Sequence, residues 1–270
     1  MLSIHGLFIR YLLCGVVPVV MTGCSNHTGV SAGATGSSIA TVSDASSAHQ
    51  RAQIRLQLAE GYYQRDETVV ALDQVKQALA INPNFADAYT LRGLIYMRLG
   101  DPVLAEESFR RALVLSPGDS DAMHDLGWLL CQQARYADAQ IQFKRVLAAP
   151  GYPERAKTLM TQGICQMRSG DKNRALTSLG QAFELNPSNP IINYNLALLL
   201  MQRGEQSSAQ PYIRRVNDSP SANPQTLWLG IKIARSLQDD NTQSQWSQQL
   251  KQRFPRSREA ILYDQRRFDD

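Results

Sequence analysis

Charge of one sign is what this sequence has least of. Its 28 basic and 24 acidic residues leave a formal charge of +4 over 270 residues. That balance is too slight and too dispersed for a nucleic-acid surface. Aromatic residues make up only 7%, which argues against a β-sandwich. No apolar run approaches the ~20 residues that a membrane helix needs. The best stretch, Tyr11 to Met21, is short and interrupted by Pro18. A polytopic membrane protein is therefore excluded, while 43% hydrophobic residues suffice for a core. Four cysteines in a chain of this length form no disulfide framework. Histidine is also scarce. Among four, only His124 lies in the repetitive part of the chain described below. One imidazole builds no metal cluster, and no zinc-ligand spacing occurs. Nucleophile motifs, P-loops and dinucleotide fingerprints are missing too. The chain thus reads as a non-enzyme with no metal, small-molecule substrate or soluble cofactor, and His124 as a packing or groove-rim residue.

What is there begins as an address. Arg10 precedes the short apolar run, and small residues close it, as in a signal peptide. Met21-Thr22-Gly23-Cys24 resembles a bacterial lipobox. Residues 1–23 are then a cleaved lipoprotein signal, and Cys24 carries the lipid (palmitate among its acyl chains). Several chains anchor a body that one chain would hold only marginally. Ser25 after the cysteine, in place of Asp, implies release to the outer membrane. Residues 24–50, rich in Ser, Gly, Ala and Thr, read as a flexible linker that cannot offset chain entropy by burial. About 25 flexible residues span roughly 25–30 Å.

The remainder repeats. Ala78-Leu79-Ala80-Ile81-Asn82-Pro83 recurs as Ala112-Leu113-Val114-Leu115-Ser116-Pro117, and again as Ala182-Phe183-Glu184-Leu185-Asn186-Pro187. The first two copies lie one 34-residue period apart; the third comes two residues late, which places an insert around Ala149 to Pro153. Small residues recur at the eighth place (Ala59, Gly93, Gly127, Gly163, Ala197) and at the twentieth (Ala71, Ala105, Ala139, Ala175, Ala209). Larger wedges follow at the twenty-fourth: Val75, Phe109, Phe143, Leu179 and Ile213. Period and residue sizes resemble the tetratricopeptide repeat (TPR), a pair of antiparallel helices. The expected fold is an all-α, right-handed TPR solenoid of about six helix pairs over residues 51–255. Its repeats run 52–85, 86–119, 120–153, 156–189, 190–223 and 224–255. The sixth reads as degenerate, with Ser244 and Gln248 in the small and wedge places, as terminal repeats often are. Residues 256–270 read as a charged capping tail.

On the first helix of each repeat, a second stripe at helical spacing would line the concave side. It includes Thr90, Leu94 and Met97, then His124, Trp128 and Cys131, then Met160, Ile164 and Met167. It continues with Ile191, Tyr194, Leu198 and Met201, and with Leu229 and Ile233. A solvated stripe would be polar. An apolar, methionine-bearing one suits an apolar or amphipathic peptide; the alternative is a face covered by the chain itself. The Lys and Asn donors of a carboxylate clamp are missing, with Leu56 and Glu60 in the first repeat's stripe. Cys131 and Cys165, in first helices of neighbouring repeats, read as buried free thiols, with a disulfide between them as the alternative if those helices cross closely.

Lipobox, linker and six repeats together resemble the type IV pilus biogenesis/stability lipoproteins of the PilW/PilF family, over about Ala52 to Tyr263. The telling runs are Gly163-Ile164-Cys165 through Ser169-Gly170-Asp171, Leu227-Trp228-Leu229-Gly230-Ile231-Lys232-Ile233-Ala234-Arg235, and Leu250-Lys251-Gln252-Arg253-Phe254-Pro255-Arg256-Ser257. The long linker and the insert depart from that family. The resemblance implies a pilotin at the periplasmic face of the outer membrane that binds the pilus secretin and promotes its assembly. Trp128, Met160, Ile164, Tyr194 and Leu198 would be the anchors. A periplasmic TPR adaptor for β-barrel assembly or for a cell-wall hydrolase or protease is the alternative.

Overall fold

The computed structural model describes residues 42–268. The expected signal peptide, Cys24 and linker residues 24–41 lie outside them. Thirteen helices and no strand occur among the described residues: α1 (Val42–Gln64), α2 (Thr68–Ile81), α3 (Ala86–Leu99), α4 (Pro102–Leu115), α5 (Ser120–Gln132), α6 (Tyr136–Ala148), α7 (Arg155–Arg168), α8 (Lys172–Leu185), α9 (Pro190–Gln202), α10 (Gln206–Asn217), α11 (Pro224–Ser236), α12 (Asp240–Arg253) and α13 (Arg258–Asp264). Each odd helix packs on the even helix after it, and each pair on the next pair. This is a TPR solenoid.

The helices start where the sequence supplies caps. Side chains of Asp101, Asp119, Asp171, Asn189, Asn223 and Asp239 accept hydrogen bonds from first-turn amides. Each such cap stabilises its helix by about 1 kcal/mol. The turn inside a pair needs one left-handed residue. Gly100 supplies it after α3 at φ 77°, but Ala134 after α5 does so at φ 59° and Gln238 after α11 at φ 56°.

One rule sets the core: a small residue on the first helix faces a wedge sixteen places later on the second. A Cβ on Gly93 would stand 2.5 Å from the Phe109 ring, on Gly127 2.8 Å from Phe143, and on Gly163 2.6 Å from the Leu179 side chain. Those distances are far inside van der Waals contact, so the helices approach as closely as they do only because no Cβ is there. The sixth pair obeys the rule as well, which corrects the degenerate reading. Its small residue is Gly230, whose Cβ would lie 2.7 Å from Trp246, and Trp246 is wholly buried. Ser244 and Gln248 are exposed. The step from Ala197 to Gly230 is one residue short of the period, so counting a full period misplaces the pattern.

Two other expectations are revised. Residues 42–50 are helical, not part of a linker. No glycine or proline interrupts them, and each turn added to a packed helix gains hydrogen bonds without new nucleation. His49 also meets the Phe85 ring at 5.2 Å. Cys131 and Cys165 are joined as a disulfide, with Cα atoms 5.8 Å apart. Adjacent first helices run side by side, and one repeat of separation brings their Cα atoms within the span a disulfide bridges. The insert occupies the α6–α7 connection, where Tyr152 folds back and its hydroxyl donates to Asp121 Oδ1 at 3.0 Å. The tail is ordered as α13, followed by Phe268, which stacks on Trp228 at 5.3 Å.

Candidate functional site: a concave groove with an acidic end

The concave side is built from the odd helices. Of the stripe read from the sequence, Leu94 and Met97 on α3, Trp128 on α5, Met160, Ile164 and Met167 on α7, and Tyr194, Leu198 and Met201 on α9 are all half-buried. Each leaves part of its side chain open, and all but Ile164 pack on the core clusters below. Trp128 carries a cation on its face, with the Arg168 guanidinium 4.8 Å from the ring centroid.

Leu229 and Ile233 do not belong to this surface. They are 3% and 0% exposed and lie in the core of the last pair. With Gly230 as the small residue of the sixth repeat, they stand two positions past the stripe. Leu227 and Ile231, which do fall on it, are buried as well. Ala260 and Leu262 of α13 join the same apolar cluster, and Tyr263 and Phe268 pack on it. The chain thus closes its own groove at the C-terminal end.

His124 and Cys131 are also interior. His124 is 4% exposed, and its Nδ1 lies 2.9 Å from Thr158 Oγ1. Burial, with Lys157 adding to it, lowers its pKa to about 4. It is a neutral packing group at any ordinary pH. Beside it, half-buried Asp125 goes the other way: burial raises its pKa to about 7 against the pull of Lys157, and Asp121 and Asp119 add to the rise.

The N-terminal end of the groove differs from its middle. Glu60, Asp87, Thr90, Leu94, Asp119 and Asp121 line an open pocket of about 590 Å³ around α3 and α5. Sequence reasoning placed Thr90 and Leu94 on the stripe here but, of the carboxylates, named only Glu60. The carboxylates come one or two per repeat, and only the stacking of α1, α3 and α5 gathers them. Toward the other end a smaller pocket of about 300 Å³ is apolar, bordered by Pro190, Ile191, Tyr194, Val216 and Thr226. Among the described residues no group of His, Cys, Asp and Glu is arranged to hold a metal ion, and no helix is long and apolar enough to cross a membrane. The groove can therefore offer apolar contact in its middle and negative charge at one end.

Residues 84–150 and 160–223 each match the tetratricopeptide-repeat family. The type IV pilus assembly protein PilF of Pseudomonas aeruginosa is 29% identical over 207 residues, 76% of this chain and 81% of that one. A solved structure of Pseudomonas aeruginosa PilF superposes with a TM-score of 0.73 at 26% identity, covering 82% of this chain and 100% of the other. The crystal structure of PilW, described as a widely conserved type IV pilus biogenesis factor, gives 0.72 at 29% identity, covering 77% and 96%.

Proposed function

We propose, from the premise that this chain belongs to the PilF/PilW family of type IV pilus biogenesis TPR proteins, that it is a pilotin-type scaffold at the periplasmic face of the outer membrane. It binds the pilus secretin, helps it reach that membrane and promotes its assembly into multimers. The observation that carries this reading is the half-open apolar stripe of α3, α5, α7 and α9. A stripe of large apolar side chains on a rigid, concave support is a surface for another polypeptide. The lipid on Cys24 sets the location, and the segment that follows gives reach. The groove then shields an apolar secretin segment until the ring forms. Trp128, Met160, Ile164, Tyr194 and Leu198 are the anchors, because large side chains at a groove centre dominate binding.

The test has three arms. Deleting the gene should abolish gel-resistant secretin multimers while β-barrel proteins keep normal levels; a parallel loss of β-barrel proteins points instead to a general adaptor. Met160→Lys with Leu198→Lys should abolish co-purification of secretin and leave the helical circular dichroism signal intact. Unchanged co-purification rejects the groove as the site. Cys24→Ser should move the protein from the membrane to the soluble periplasmic fraction.

A further inference from the structure

The groove is not uniform along its length. At the end formed by α1, α3 and α5, Glu60, Asp87 and Asp121 open onto the larger pocket. Three arginines of the first helices are engaged elsewhere. Arg55 donates to Gln74, Arg92 to Ser108 and Glu107, and Arg98 to the Tyr63 carbonyl and Asp66. Asp119 is occupied as the cap of α5. Asp121 accepts from the Tyr152 hydroxyl, but no described cation forms an ion pair with it, with Glu60 or with Asp87. At the other end Ile191 stands 51% exposed at the mouth of the apolar pocket beside Tyr194. Met160 and Ile164 lie on α7 between these two ends, with Trp128 on α5 and Leu198 on α9 to either side of them.

Like charges gathered in a concavity with apolar walls repel one another and focus a negative potential that only a cation relieves. An acidic or wholly apolar segment would desolvate these carboxylates without pairing them. We propose that the groove takes one bipolar segment of its protein partner. Its lysine- or arginine-bearing end sits against Glu60, Asp87 and Asp121, and its apolar or aromatic end sits at Ile191 and Tyr194. This rests on the groove reading above and adds a direction and a charge to it.

The test uses the full mature chain and purified, detergent-solubilised pilus secretin as the probe. Asp87→Lys with Asp121→Lys should weaken binding about tenfold at low salt and flatten its salt dependence. A photo-crosslinking residue placed at Leu94 should capture a Lys/Arg-rich stretch, and one placed at Ile191 an apolar stretch of the same secretin segment. Suppose charge reversal changes nothing, the Leu94 crosslinks fall on acidic sequence, or they join two copies of this chain, while Met160→Lys with Leu198→Lys still abolishes binding. Then the bipolar segment is wrong and the groove stands. If the double lysine variant in the apolar stripe binds secretin normally, the groove reading falls and the direction falls with it.

Discussion

The middle of the groove and its C-terminal end are cut from the same repeat but finish differently. Along α5, α7 and α9, Trp128, Ile164 and Leu198 stay half-open. On α11 the equivalent residues Leu227 and Ile231 are wholly buried, and Trp228 is nearly so. Position in a repeat fixes the direction of a side chain, but the next element decides whether it meets water. In the middle the next element is another repeat, which stacks beside the groove and leaves it clear. At the end the shorter α13 and Phe268 turn over it. A solenoid can thus keep a sticky inner wall where a partner is wanted and seal the same wall where the array stops.

Removing the seal is the largest perturbation of that contrast. Deleting residues 257–270 strips Ala260, Leu262 and Phe268 from α11, and the last pair should lose about 4 kcal/mol of local stability. Amide exchange should rise sharply in α11 and α12 and little in α5 to α8, with new binding of an apolar dye. Equal loss across the chain would mean that the two regions are not separately stabilised. The middle has its own fastening, the Cys131–Cys165 disulfide, which closes a loop of 34 residues. Replacing both cysteines with serine should cost about 3 kcal/mol in denaturant unfolding, concentrated in α5 to α8. Reducing agent should reproduce the loss in the parent chain and have no effect on the variant.

A third perturbation is electrical and again confined to the middle. Asp125 has its pKa raised to about 7 by burial. A carboxyl raised in this way favours the protonated folded state, so stability falls as pH climbs from about 4 through 7 and stays low above. His124, lowered to about 4, is opposite: its contribution falls as pH drops from about 6.5 to 4. The two slopes oppose each other between those limits, leaving the Asp125 cost dominant above pH 7. Asp125→Asn should therefore stabilise the fold by about 2 kcal/mol at pH 8, allowing for its partial contact with solvent, and by nothing below pH 4. Melting curves at pH 4 and pH 8 give the sign directly.

Much of this was legible in the sequence, because the repeat is a packing rule written in residue sizes. The glycines and their ring partners Phe109 and Phe143 announce themselves by size and spacing. The insert shows as a late Pro187, and the α6–α7 connection proves to hold it. The last repeat was misread because Trp246 is an unusual wedge in a glutamine-rich helix, and one missing residue moved it out of register. The disulfide depends on the distance between neighbouring first helices, which no single helix encodes. The acidic end was hidden for the same reason: Glu60, Asp87 and Asp121 are ordinary surface carboxylates until three helices are stacked. The early start of α1 joins a local cause, a run free of glycine and proline, to a contact between elements, His49 on the Phe85 ring, which no single helix encodes.

The smallest perturbation asks whether the two regions share a turn as well as a core. Pairs two, four and five turn on Gly100, Gly170 and Gly204, while the middle pair uses Ala134 and the last uses Gln238 at left-handed φ values of 59° and 56°. A side chain there costs about 1 kcal/mol of strain. Glycine removes that strain but adds freedom to the unfolded chain, which takes back about half. Ala134→Gly should thus stabilise by about 0.5 kcal/mol, a rise of roughly 1–2 °C in Tm for a body of this size. Gln238→Gly should give a similar gain that is visible in the exchange of α11 and α12 and scarcely in the global midpoint, because the last pair opens first. A destabilised Ala134→Gly would mean that the methyl group packs on its neighbours and that the turn is held by contact instead of tolerated against strain.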